Sequence, residues 1–555
     1  MSGWFARLAE GLGGAALIAL ACLAPKATGE MLTYTFTPQP DTGRLRVELE
    51  WQTEGRTSSA LCVADRWGQV PNVPALLRHV RVTGAKSGRR DGSCWLIRHR
   101  SGATLRCTYT VDPRARVLDW PRAHFPMTTK TFFHGIGNTF LLAPQPASGM
   151  PAEYDVLLRW KTPKSWTAVC SWGIGKHLGM QLSVEELRNA VYLAGPLVRH
   201  TVNLADGGRV TVAILDEFGF TAKQFAETAA DIIAAQCRFM VEAEFPPYLV
   251  TVVPVGPPAG KGRALLEGMG LHHSFALFLP PEAKISDAVE HLFAHELFHH
   301  WNGSLLRREE PEELTEWFTE GFTDYYALRI LHESGRWDSA TYAKWINRHL
   351  CEYHANPARN ATNEQIRRDR LTRRDTVGEV PYQRGLLLGL RWHRLARDRG
   401  VAGGLDGLVR TMVDKARTES FRASNERIRS TGIRLFGDWF AGEFERYVVR
   451  AETVDVPADA LAPELAGAVE TIHDFALGFD RKRSLKDKRV RGLVAGSAAA
   501  AAGLKEGDEL TGWNVHGNPK QAIRLQVRRD GELRVIEYLP RGAERDLLQF
   551  APTDP

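Results

Sequence analysis

Residues 294–302 read Ala-His-Glu-Leu-Phe-His-His-Trp-Asn. Residues 285–301 contain no proline or glycine, which predicts an uninterrupted helix. On a helix, side chains four residues apart share a face, so the imidazoles of His295 and His299 project together. Two imidazoles at this spacing can bind one zinc ion, and Glu296 lies where it can take a proton from an activated water. The stretch therefore predicts a catalytic zinc centre on a helix.

A catalytic zinc site needs a third protein ligand and keeps one position open. The next helical stretch, residues 316–326, offers Glu316 and Glu320 on one face. Asp324 follows Glu320 by one turn and can accept the free ring N–H of a zinc-bound histidine. Because only Glu320 has this acid four residues on and Gly-Phe-Thr directly after it, we predict Glu320 as the ligand, with Glu316 as its rival.

These two helices resemble a known family. Their His-Glu-x-x-His-x-Trp-Asn and Glu-Gly-Phe-Thr patterns are similar to those of the glycyl aminopeptidases, which are PDZ-containing zinc peptidases related to aminopeptidase N and leukotriene hydrolase. The resemblance implies a thermolysin-like catalytic domain, one zinc ion, and peptide or protein substrates. It extends to residues 380–385, Val-Pro-Tyr-Gln-Arg-Gly, and implies that the Tyr382 hydroxyl stabilises the oxyanion, with Arg384 in place of the family's lysine.

The substrate strand departs from the family pattern. In that family a Gly-x-x-Glu strand carries the glutamate that binds the α-amine of the substrate. Here the matching residues are Gly268, Gly270, Leu271 and His272, so a histidine replaces the glutamate. A histidine is a poor partner for an ammonium group, since near neutral pH it is neutral or like-charged. The strand backbone can still pair with an extended peptide. The missing charge would have to come from Glu267 or from an acid of the N-terminal domain.

The remaining sequence predicts a multidomain α+β protein, with an all-β domain before the catalytic domain and a PDZ-like β domain after it. The PDZ resemblance rests on residues 492–510, where a Gly-Leu-Val-Ala-Gly-Ser segment, an alanine run and a Gly-Asp turn follow in order. We expect that this domain is a candidate site for binding peptides. The expected boundaries are 1–29 for a signal peptide, 30–170 for the N-terminal β domain, 171–455 for the thermolysin-like domain with its helical tail, 456–468 for a linker, and 469–545 for the PDZ-like domain.

The N-terminus predicts export to the periplasm or the extracellular space. One cation, Arg7, precedes a short apolar run over residues 13–24, which is typical of a secretory signal and too short for a stable membrane span. Lipidation at Cys22 is less favoured because the leucine of the lipoprotein pattern is one place off. In an exported chain disulfides are expected, and Cys94 and Cys107 are the expected pair because they flank a predicted hairpin.

Composition excludes several other functions. The chain has 555 residues and a net charge of only +6, and its basic runs are interrupted by acids, so no nucleic-acid partner is expected.

His291 lies one turn before His295, but a fourth protein ligand would close the site, so we predict that it packs behind the ligands. The alternative function is a zinc-stabilised scaffold that binds peptides through its outer domains. The presence of Glu296 and Tyr382 favours the peptidase, because a scaffold needs neither.

Overall fold

The computed structural model describes residues 31–53, 55–112, 122–145, 153–205, 207–215, 218–256, 266–370, 372–515 and 517–553. The predicted signal peptide and the lipidation candidate Cys22 lie outside these residues. Across the described ranges, none of the helices combines the length and the apolar character that a membrane crossing requires.

Alternating apolar side chains build the N-terminal region from strands. In β1 (Met31–Gln39), every second side chain is buried, the pattern of a strand with one covered face. The further elements are β2 (Arg44–Gln52), β3 (Ser58–Cys62), β4 (Leu77–Thr83), β5 (Ser87–Asp91), β6 (Cys94–Arg98), β7 (Thr104–Val111), β8 (Met127–Thr128), β9 (Phe133–Ile136), β10 (Ala143–Pro144), β11 (Glu153–Trp160), β12 (Thr167–Cys170), β13 (Gly173–Ile174), β14 (His177–Ser183), helix α1 (Val184–Arg188) and β15 (Val191–Gly195). They form sheets of order β14-β11-β1-β2-β7-β4, β10-β3-β6-β5 and β13-β12-β15-β9-β8.

The predicted disulfide between Cys94 and Cys107 is wrong. Cys62 and Cys94 form the disulfide, and they face each other across the paired strands β3 and β6. The expected hairpin does not form, because β6 and β7 follow each other in the chain but join different sheets. Cys107 is instead a free, buried thiol in β7.

A mixed sheet begins the region that the sequence predicts to be catalytic. Its elements are β16 (Val198–Asn203), β17 (Arg209–Ile214), helix α2 (Ala222–Met240), β18 (Tyr248–Pro254), β19 (Glu267–Leu271) and β20 (Ser274–Leu279). The strand order is β16-β17-β18-β20-β19, which leaves β19 at the edge, antiparallel to β20. Of the predicted substrate-strand residues, Gly268, Gly270 and Leu271 therefore lie in β19, whereas His272 lies after its end. His272 and His273 form a tight turn between β19 and β20, and His273 has a positive φ of 44°.

Helices follow the sheet. They are α3 (Asp287–Phe298), α4 (Glu316–Thr319), α5 (Gly321–Glu333), α6 (Ser339–Ala355), α7 (Asn363–Asp369), α8 (Arg374–Val377), α9 (Val380–Asp398), α10 (Asp406–Thr418), α11 (Asn425–Phe436) and α12 (Trp439–Phe444), with π-helical segments at His300–Leu305 and Glu445–Val449. The predicted multidomain α+β organisation is thus confirmed, with a β-rich N-terminal domain and a helical region after it.

Two glycines set the distance between α5 and α9. A Cβ on Gly385 would lie 1.8 Å from the carbonyl oxygen of Trp317 and 2.7 Å from the Cα of Gly321. Both neighbours are backbone atoms, which cannot move aside as a flexible side chain can. Gly321 follows Glu320 directly, and Gly385 lies one turn after Tyr382, so this contact holds the two helices that carry these candidate site residues together.

The C-terminal region forms two further sheets. The long strands β21 (Leu465–Phe475) and β25 (Arg541–Pro552) pair with each other, and β25 also packs on α6 through Asn347, which bonds the backbone of Phe550. The remaining elements are α13 (Arg481–Asp487), α14 (Ala498–Ala501), β22 (Glu509–Asn514), β23 (Ile523–Arg529) and β24 (Glu532–Tyr538). They enclose a small separate core around Leu504 and Leu525.

Gly385→Ala tests the contact between the helices. The added methyl has to push α9 away from the backbone of α4 and α5, and overpacking of this kind typically costs about 1–3 kcal/mol or more. We expect a lower Tm in thermal unfolding monitored by circular dichroism. Gly442→Ala in α12 is the matched control, because nothing lies within 4 Å of its added Cβ. An unchanged Tm for Gly385→Ala would mean that the helices can separate without cost.

Candidate metal centre and active site

The predicted ligand residues converge between α3 and α5. The Nε2 atoms of His295 and His299 lie 3.1 Å apart, and Oε2 of Glu320 lies 3.5 Å from the first and 3.3 Å from the second. Ligand atoms of all three residues fall within 4.8 Å of one another. Helical spacing brings the two histidines together, whereas packing of α5 against α3 brings Glu320 to them.

Hydrogen bonds behind the ligands fix which ring nitrogens face inward. The Nδ1 atom of His295 lies 2.7 Å from Oδ1 of Asp324, and Nδ1 of His299 lies 3.1 Å from the carbonyl oxygen of Asn302. Since both partners are acceptors, each Nδ1 carries a hydrogen, and each Nε2 is the nitrogen left to offer a lone pair to a bound cation. Two lone pairs and the Glu320 carboxylate then face one point, a donor set that fits a divalent cation such as zinc.

The Asp324 carboxylate lies close to the rings of two histidines. Besides His295, its Oδ1 lies 3.1 Å from Nε2 of His291, whose ring packs on Trp345 with centroids 4.5 Å apart. Burial opposes the charge on Asp324, but the two histidines outweigh it and hold its pKa well below the usual range. His291 therefore lies behind the carboxylate and away from the point at which the three predicted ligands meet.

The rival Glu316 is engaged elsewhere. It is a buried residue, and its carboxylate is paired with the guanidinium of Arg370. Burial raises the pKa of Glu316, and this ion pair partly offsets the shift. Glu320 is one turn further along and faces the histidines, so the geometry favours Glu320 over Glu316.

Asn302 is a site residue to which the sequence reasoning gave no role. It is fully buried, and its side-chain NH₂ lies 3.1 Å from the carbonyl oxygen of Phe318, 3.3 Å from that of Thr319, and 3.2 Å from Oγ1 of Thr323. Its own carbonyl accepts from His299. Asn302 thus ties the end of the histidine helix to the glutamate helix. Its place in the quoted His-x-Trp-Asn pattern was the signal that could have identified it.

The edge strand β19 contacts the predicted general base. The backbone N–H of Gly270 donates to Oε2 of Glu296 at 2.7 Å. A Cβ on Gly270 would lie 3.0 Å from the Glu296 carbonyl oxygen, so only glycine leaves this close approach unstrained. Gly268 packs tightly on the ring of Phe275, while the Leu271 side chain is buried in the apolar layer between the two domains.

Tyr382 lies on α9, beside the predicted ligands. Its ring stacks on that of His295, with centroids 6.1 Å apart and an interplanar angle of 19°. Burial raises the pKa of Tyr382 well above its usual value, and nearby carboxylates such as Glu320 raise it further, so the hydroxyl remains a hydrogen-bond donor. Arg384 is fully buried, and its guanidinium donates to the carbonyl oxygens of Arg359 and Ala361 at 2.8 and 2.6 Å. It anchors that loop rather than facing the ligands.

A cavity of about 530 Å³ extends from this centre to the N-terminal domain. Gly270, Leu271 and His272 line it, together with Glu296 and His299. Glu267 does not face it: its carboxylate contacts the imidazole of His124 and lies 3.5 Å from Nε2 of Gln69, both in the N-terminal domain.

Comparisons with known proteins agree with this geometry. Residues 288–369 match the M61 glycyl aminopeptidase family. The chain carries an aminopeptidase-like zinc peptidase domain. This confirms the resemblance seen in the sequence. No curated protein matches the chain.

Solved structures share the fold. An aminopeptidase N family protein from Idiomarina loihiensis is 14% identical with a TM-score of 0.68, over 95% of this chain and 98% of that chain. An M1 zinc metallopeptidase from Deinococcus radiodurans is also 14% identical, with a TM-score of 0.51, over 78% of this chain and 97% of that chain. The first alignment includes most of the C-terminal region, so the similarity extends over nearly the whole architecture.

Asp324→Asn tests the support behind the ligands. The amide cannot provide the carboxylate's charge to His295, and loss of such a partner typically lowers metal affinity about 10–100-fold. We expect this decrease in a zinc titration against a competing chelator, with the fold retained by circular dichroism. Asp414→Asn, at an exposed position of α10, should leave the affinity unchanged. Equal affinities for the two variants would contradict a role for Asp324.

Proposed function

We propose that this protein hydrolyses peptide bonds with one zinc ion held by His295, His299 and Glu320. The convergence of two imidazole nitrogens and one carboxylate oxygen within 4.8 Å carries this proposal. It is supported by the match of the same segment to a peptidase family.

Each remaining group then has a defined task. Bound zinc supplies Lewis-acid chemistry, acidifying water toward a pKa of about 7 and polarising the scissile carbonyl. The Glu296 carboxylate accepts a proton from the attacking water and delivers it to the leaving amine. The Gly270 N–H holds the carboxylate in place at 2.7 Å. The Tyr382 hydroxyl donates to the developing oxyanion, an interaction typically worth about 3 kcal/mol.

The substrate is an extended peptide. Among the described strands only β20 pairs with β19. Its opposite edge, apart from the Gly270 N–H that bonds Glu296 and the His272 N–H that bonds Asn189, can pair with an extended chain. The cavity leads from Glu296 along this edge to His272 and the N-terminal domain. A substrate in it would lie between the catalytic and N-terminal domains. The Glu296–Gly270 contact and the protonated Tyr382 hydroxyl favour catalysis over the scaffold alternative, since a scaffold has no use for either.

The observed strand pairing leads us to propose different domain boundaries. Since β12 pairs with β15, we place the end of the N-terminal domain near residue 195 instead of residue 170. The catalytic domain would then run to about residue 455, and β21 begins inside the proposed linker, at Leu465. Residues 469–545 would form the PDZ-like domain, with its order of α14, Gly-Asp turn and closing strands in support, and would bind peptides.

We also propose export of the protein to the periplasm or the extracellular space. Disulfides persist mainly in oxidising compartments, so the bond between Cys62 and Cys94 supports this location.

His299→Ala tests the ligand set. Removing one of three ligands should abolish stoichiometric zinc in purified protein, measured by elemental analysis. His300→Ala is the matched control, because His300 is the adjacent residue but its ring packs on Phe245 and Trp301. Full zinc occupancy in His299→Ala would disprove this assignment.

Glu296→Gln tests the role of Glu296 as general base independently of zinc binding. The amide keeps the shape and can still accept from Gly270, but it cannot take a proton from water. We expect normal zinc content and a loss of about 10²–10⁴ in the rate of peptide hydrolysis. A variant that cleaves peptides at the wild-type rate would show that another group is the base.

A further inference from the structure

One corner of the cavity combines a carboxylate with two histidines. Glu186 of α1, in the N-terminal domain, places Oε1 3.4 Å from Nε2 of His272 in the turn after β19. The rings of His272 and His273 stack with centroids 4.0 Å apart. All three residues line the cavity that contains Glu296 and His299.

The Glu186 side chain is held in place by its own helix. Its Oε2 accepts from the backbone N–H of Ser183 at 2.8 Å, while the Ser183 hydroxyl accepts from the Glu186 N–H at 3.1 Å. This reciprocal capping box fixes one carboxylate oxygen and leaves the other directed at His272. The carboxylate is thus positioned before any ligand binds.

The net charge of this corner is negative. Burial lowers the pKa of His272 despite the opposing effect of Glu186, and burial with the neighbouring histidines lowers that of His273 to about 4. Both rings are therefore neutral near pH 7. Burial opposes ionisation of Glu186, but the Ser183 hydrogen bonds and the histidines outweigh it and lower its pKa. The adjacent Glu185 is already paired with Arg307 at 2.9 Å, so Glu186 carries the charge that is not neutralised here.

The position suits the amino end of a substrate. Gly270 bonds Glu296, and His272 lies two residues further on, in the turn after β19, roughly 7 Å away at a rise of about 3.3 Å per residue. A peptide whose first carbonyl lies at the metal centre would extend its N-terminal amine toward this corner. Glu267 cannot serve there, because it faces His124 on the other side of the strand.

We propose that Glu186 binds the α-ammonium group of the substrate and so restricts the enzyme to peptides with a free N-terminus. This specificity would then reside in a side chain of the N-terminal domain, across the cavity from the catalytic groups. The inference rests on the proposed peptidase function.

Glu186→Gln tests the inference with a matched control. Glutamine keeps the capping box, since it serves at this position of the motif as glutamate does, but it removes the charge. We expect kcat/KM for aminoacyl p-nitroanilides to fall about 10-fold or more, with little change for the N-acetylated analogues. Glu185→Gln, one residue away and paired with Arg307, should leave the preference intact. An unchanged preference in Glu186→Gln, or equal losses in both variants, would overturn the proposal.

A rescue variant tests whether the carboxylate charge itself is required. Adding His272→Glu to Glu186→Gln returns a carboxylate to the same corner from the strand side. We expect it to recover most of the preference for a free amine, which a merely structural effect of Glu186→Gln would not allow. No recovery, together with a lowered Tm of the single variant, would indicate a structural role for Glu186 and overturn the proposal.

A binding measurement separates this inference from the proposed function. The binding of L-leucinamide and of N-acetyl-L-leucinamide is measured by isothermal titration calorimetry on two proteins, Glu296→Gln and the double variant Glu296→Gln/Glu186→Gln. This measurement does not require turnover. Tighter binding of the free amine that disappears with Glu186→Gln supports the inference even if the wild type hydrolyses no peptide. Equal binding of both compounds when Glu186 is present would overturn it, whatever the catalytic assays show.

Discussion

The close crossing of α5 and α9 is the constraint on which the site depends. At Gly321 and Gly385 the two helix backbones approach so closely that a single methyl group would collide with main-chain atoms. Glu320 precedes one of these glycines, and Tyr382 lies one turn before the other. The proposed metal ligand and the proposed oxyanion donor are therefore positioned by backbone contact. Such contact is stiffer than side-chain packing, because main-chain atoms cannot change rotamer.

Around this crossing, buried polar groups hold the proposed ligands in one arrangement. Asp324 and the Asn302 carbonyl each accept from one histidine, and the Asn302 amide reaches the helix that carries Glu320. A buried polar group that loses its partner costs free energy, so each bond of this network resists displacement of the others. The donor set is thereby directed inward and its tautomers are fixed. This preorganisation is what a metal centre needs to favour one geometry.

The cavity joins groups from separate parts of the chain. The proposed catalytic carboxylate lies on α3, the proposed peptide-pairing edge is β19, and the proposed ammonium site lies on α1 of the N-terminal domain. In this proposal, chemistry and substrate selection are located on different domains that meet at the turn holding His272. A change in α1 could alter which peptides are accepted while the ligands and the base remain as they are.

The features that depend on local periodicity can be predicted from the sequence. A helical repeat places His295, Glu296 and His299, and the acid one turn after Glu320, whatever else the chain does. The tertiary structure decided which faces meet. Cys62 bonds Cys94 because β6 joins the sheet of β3, Glu267 turns to His124 because the cleft lies on the other face of β19, and Glu186 reaches His272 across nearly ninety positions of sequence. These outcomes follow from the packing of distant segments, which local spacing does not encode.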